Sequence, residues 1–175
     1  MVQFNLVFWS YTETAFCCWL AVKGRLDTHD RRSHWDPSLR CYLCGIQAED
    51  HSHLFFNCTF SSQIWRLFQL KCGISIPHLD WFSLIGWLSL TWKDGSLSNV
   101  LSKICMATSV YYIWSERNLR AHSNNSNSAT QTWANILELV TRKGYSLQGF
   151  PASSTNRVTQ RKWNLPTSIF KASNV

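Results

Sequence analysis

Acidic residues are scarce in this chain: ten Asp and Glu stand against 17 Lys and Arg, and charged residues make up only 15% of its 175 residues. The carboxylates are also scattered. No Tyr-x-Asp-Asp or Phe-x-Asp-Asp occurs, and Glu49-Asp50 is the one adjacent acidic pair. Paired carboxylates that could hold two metal ions for nucleotidyl transfer are therefore lacking, and ten scattered acids give no support to the four-acid cluster of a ribonuclease H. G-x-x-x-x-G-K, G-x-S-x-G and H-E-x-x-H are absent too. An enzyme is not expected, and Glu49-Asp50 is expected to face solvent. Long apolar runs are missing as well: AFCCWLAV (15–22) and WFSLIGWLSLTW (81–92) fall short of the roughly 18 residues that cross a bilayer, so no membrane span is expected. The start, MVQFNLVFWSYTETAF, has no basic region ahead of its apolar residues and no small-residue cleavage site, and does not read as a secretory signal. With an odd number of cysteines, seven, this gives the expectation of an intracellular, reducing setting, where thiols stay free or bind metal.

Aromatic residues, by contrast, are plentiful. Ten Trp and ten Phe exceed what an average soluble domain of this length carries, which implies that part of this surface meets a partner or another part of a larger protein. The positive charge is uneven. From Leu139 onward the chain holds Arg142, Lys143, Arg157, Arg161, Lys162 and Lys171 and no acid, a composition that suits a polyanion or a solvated, structureless end.

Apolar periodicity predicts helices over 12–23, 60–70, 81–90, 97–121 and 129–148, with a further helical turn after Glu49. Between the first of these and the cysteines, GRLDTHDRRSHW offers Asp27 or Thr28 as the cap of a short polar helix with Leu26 and Trp35 as its apolar contacts. Beyond Pro151 no periodicity remains. The expected architecture is mainly α: a small helical domain with a metal-binding loop (1–75), long helices (76–150) and a disordered basic tail (151–175).

The chemistry is concentrated in CYLCGIQAEDHSHLFFNC, residues 41–58. Cys41-x2-Cys44 places two thiols on a tight turn, and Gly45 can adopt the positive φ that turns amides toward the sulfurs. His53 and Cys58 supply two further ligands, giving C-x2-C-x8-H-x4-C and a closed Cys3His shell for Zn2+ with no open position for a water. The alternatives are buried free thiols, disulfides, or His51 in place of His53. Cys17, Cys18, Cys72 and Cys105 lie in apolar helical stretches and read as small hydrophobes.

GRLDTHDRRSHW, then C-x2-C-G, then HSHLFFNCTFSSQIW resembles the zinc-binding domain that follows the polymerase in reverse transcriptases of plant LINE-type (non-LTR) retrotransposons. The later VYYIWSERNLRAH (110–122) is similar to the W-x-E-R-N helix that follows this domain in such proteins. The resemblance implies Cys41, Cys44, His53 and Cys58 as metal ligands, with Arg25, Leu26, Asp30, Arg31 and Trp65 at flanking positions. It also implies a polymerase partner, and a nuclear location is expected. Lys23, Arg25, Arg31, Arg32 and Arg40, with Trp35 among them, form the candidate face for RNA or single-stranded DNA. Phe55 and Phe56 read as core. Trp114, Glu116 and Arg117 read as packing or a local ion pair.

Overall fold

A computed structural model describes residues 13–31, 38–77 and 79–172. Arg32 and Trp35, both assigned to the candidate nucleic-acid face, lie outside the described residues.

Five α-helices form where the periodicity places them, α1 (Glu13–Val22), α2 (Thr59–Cys72), α3 (Trp81–Thr91), α4 (Leu97–His122) and α5 (Ala129–Tyr145), and a sixth, α6 (Ser154–Lys162), forms where none was expected. Their starts are chemically marked. Asp80 accepts from the amides of Phe82 and Ser83, and Ser96, Ser128 and Ser153 each accept from the amide three residues on, satisfying donors that a helix N-terminus leaves free. Among the described residues there is no strand, only two isolated bridges.

α4 is the axis of the fold, and α1, α2, α5 and α6 all pack against it. From Cys105 to Val110 every residue is buried, so the middle of α4 is enclosed on all sides. Leu97, Leu101, Cys105, Val110 and Ile113 are buried along its length. One apolar cluster joins them to Ile64 and Phe68 of α2, Leu84 and Leu88 of α3 and Ile136 and Val140 of α5, and it continues into the metal loop through Leu43, Leu54 and Phe55.

The structure differs from the expectation in the last segment. Residues 151–172 are folded rather than disordered: α6 is followed by a return in which Phe150 and Phe170 form a parallel bridge and Lys171 N donates to Phe150 O at 2.8 Å. Trp163, Leu165 and Ile169 are buried. A methyl group added at Gly144 of α5 would stand 2.6 Å from Leu165 Cδ2, so this glycine makes room for the plug. The anchors follow the helix instead of recurring within it, which is why no period announced them.

Candidate metal centre

Each ligand is held by a local device. The first two lie on a turn in which Gly45 N donates to Cys41 O at 2.7 Å and Cys41 N donates to Gln47 O at 2.8 Å, closed by an antiparallel bridge between Arg40 and Ala48. Gly45 has φ of 68°, the left-handed conformation expected of it. The other two ligands bracket a π-helical turn, His53–Asn57, in which Cys58 N donates to His53 O at 2.8 Å. This i to i+5 closure brings ligands five residues apart toward one ion, and π turns favour functional sites. Such a turn leaves carbonyls without helical partners. Ser61 Oγ donates to Leu54 O at 2.5 Å, and the Trp65 indole N–H donates to Phe55 O, which gives the serine and tryptophan after the HLFFNC run a physical role. Asp50 caps the turn by accepting from His53 N at 2.7 Å.

The four donor atoms of Cys41, Cys44, His53 and Cys58 all lie within 4.8 Å of one another. Cys41 Sγ is 4.0 Å from Cys58 Sγ, and Cys44 Sγ is 3.3 Å from His53 Nε2. A tetrahedral zinc with Zn–S near 2.3 Å sets its ligand atoms about 3.5 to 3.8 Å apart, so the set fits Zn2+. The Cys58 thiol is pushed down to about 5 because it accepts a hydrogen bond from the Cys41 thiol, with the Ser61 and Phe60 amides at the start of α2 acting in the same direction against burial. As the donor of that pair, Cys41 is pushed up. The dipole at a helix N-terminus favours a thiolate. Cys41 and Cys58 are buried, Cys44 is partly buried, and all seven cysteines are free of disulfides.

His51 is not part of this cluster. Its ring packs on Phe55 and Trp81, with centroids 4.9 and 4.8 Å away, and burial pushes its pKa down to about 4. His53 is the histidine that joins the cysteines.

Glu49 departs from expectation. It is 1% exposed rather than in solvent, and its Oε1 accepts from Arg117 Nε at 3.0 Å and Nη2 at 2.7 Å. His29 N donates to the same oxygen at 3.3 Å, and Tyr42 N donates to Oε2 at 3.4 Å. The Arg117 guanidinium lies between the rings of Tyr42 and Trp114, 4.9 and 5.1 Å from their centroids. The pair is thus not local: it joins the metal loop to α4. One turn further on, Arg120 pairs with Glu116 at 2.8 Å and donates to Leu43 O at 2.7 Å and Asn127 O at 2.8 Å. Sequence reasoning assigned no role to Glu49 or Arg120. The signal that could have found them was W-x-E-R-N itself, since adjacent Glu and Arg on an otherwise apolar helix need partners when buried.

Of the candidate nucleic-acid residues, Lys23, Arg25, Arg31 and Arg40 are all exposed. Arg25 lies over the Trp19 ring, 5.8 Å from its centroid. Phe55 is fully buried, and Phe56 is half-buried against Trp65 and Trp81, so both rings belong to the packing, as expected.

Residues 4–65 match a family model described as zinc-binding in reverse transcriptase, and all four donors fall inside the match. Neither the curated proteins nor the solved structures give a match.

Proposed function

We propose that this chain is a zinc-organised module of a plant LINE-type retrotransposon reverse transcriptase, and that the edge of its metal loop contacts RNA or single-stranded DNA. The zinc-binding part covers 1–75 and the helices of 76–150 buttress it. The carrying observation is that the matched segment contains a closed Cys3His set whose donor atoms lie within 4.8 Å of one another. Cys41, Cys44, His53 and Cys58 would hold the ion, and a zinc with four protein ligands supplies structure rather than an activated water. Polymerisation then belongs to another domain, and this chain positions template or target for it inside the nucleus. Exposed Lys23, Arg25, Arg31 and Arg40 meet the phosphates.

A second reading is favoured by the apolar groups left in the open. Phe16 and Phe82 are 62% and 67% exposed, and rings so placed suit a docking face for a polymerase domain. A salt series on binding to labelled RNA and single-stranded DNA separates the two. Under the first reading, affinity falls steeply with salt and drops further in R25Q/R31Q. Unchanged affinity in that variant, with capture of a reverse-transcriptase fragment lost in F16A/F82A, moves the assignment to the second.

A further inference from the structure

The two longest stretches of this chain without Asp or Glu are 51–79 and 139–175, and the fold brings them together. At the end of α2, Lys71 Nζ donates to Lys162 O at 3.0 Å and lies 4.8 Å from the Trp163 ring centroid. Lys162 Nζ reaches back to Leu70 O at 3.5 Å. On α6, Arg157 and Arg161 are exposed and one turn apart, hence on the same side of the helix. The Arg157 guanidinium lies 5.4 Å from the Phe170 ring centroid, beside exposed Lys171. None of these five cations has a carboxylate partner among the described residues.

We propose that this surface is a second nucleic-acid contact, one that binds the phosphodiester backbone and does not read bases. Cations gathered without counter-charges repel one another, and a polyanion relieves that repulsion. Lys71 and Lys162 are partly satisfied by helix-end carbonyls, whereas among the described residues the side chains of Arg161 and Lys171 have no protein acceptor and that of Arg157 has only Ala152 O, at 3.2 Å. The charges extend over two helices and the returning chain, which fits a row of phosphates better than a single one. Little aromatic surface is left for base stacking: Trp163 beneath Lys71 is 3% exposed, Phe170 is half-buried and already carries the Arg157 guanidinium, and the exposed large apolar side chains of α2 and α6 are Leu70 and Val158. A membrane surface fits less well, because the one apolar side chain that α6 (STNRVTQRK) exposes is Val158, and it has no apolar face to insert.

The proposal rests on the nucleic-acid reading above but places a contact on the side of α2 and α6, away from the metal loop's own cations. Its test uses the full zinc-loaded chain and fluorescence anisotropy of short labelled RNA and duplex DNA, each in two unrelated sequences, with phosphatidylserine vesicles as a further arm. R157Q/R161Q/K171Q is expected to bind both nucleic acids about tenfold more weakly, with the slope of log affinity against log salt reduced by about two to three. R157K/R161K, which keeps the charges, is expected to bind as the wild type does. The two sequences are expected to bind alike. Wild-type affinity in the triple variant, strong preference for one sequence, or binding to vesicles but not nucleic acid would overturn the proposal. If R25Q/R31Q alone abolishes binding, the metal-edge reading stands and this one falls; if the triple variant alone weakens it, the converse holds.

Discussion

Glu49 and Arg117 show what a single residue contributes in this fold. Each is 1% exposed or less in its side chain, and they meet at 2.7 Å. Removing one partner strands the other's charge in the interior, so R117M or E49Q alone is expected to lower stability by about 3 to 5 kcal/mol. The double variant is expected to recover much of that loss, since it leaves no unpaired charge; chemical denaturation of the three proteins measures the coupling. The ligand residues make a separate prediction. His53→Ala and Cys58→Ser are expected to lose a zinc stoichiometry near one, and His51→Phe to keep it, as read by native mass spectrometry. The four donors were legible in the sequence because metal chemistry constrains both spacing and residue type. His53 was among them, with His51 left as an alternative, because spacing alone does not say which of two histidines two residues apart meets the ion.

At the scale of elements, the helices were legible wherever an apolar stripe recurs, and α4 was the clearest because its buried residues run from Leu97 to Arg117. The π turn was read only as a helical turn, since nothing in local periodicity separates i to i+4 from i to i+5 closure. The C-terminal segment was misread for a different reason. α6 has a polar sequence, and its order comes from Trp163, Leu165 and Ile169, which are buried one by one against other elements. Leu165→Ala is therefore expected to cost about 2 to 5 kcal/mol. Proteolysis should then cut within 151–172 before it cuts the α4–α5 pair; equal resistance in the variant would show that the plug does not hold the segment.

Across the whole molecule, the metal loop and the helices share one apolar cluster but differ in what holds them. Residues 40–58 give Leu43, Leu54 and Phe55 to that cluster and are tied to α4 by the Glu49–Arg117 bridge, and the bound ion would hold the rest of their shape, whereas α4 and α5 bury a long contact of their own. Zinc removal by a strong chelator is expected to abolish hydrogen-exchange protection at Cys41, Gly45 and Cys58 first, while amides on the buried faces of α4 and α5 stay protected. A loop that keeps its protection without metal would refute the dependence. The mainly helical class and the aromatic excess were visible in composition and pattern, but the joining of loop to helix required contacts between residues 68 positions apart.

That joining ties the loop to the rotational phase of a helix. Successive residues of an α-helix advance by about 100° around its axis, so inserting one alanine just before Trp114 would swing the guanidinium of Arg117 out of line with Glu49 while leaving every zinc ligand in place. The ion would still be bound, but the loop carrying it would lose its fixed bearing on the helical body.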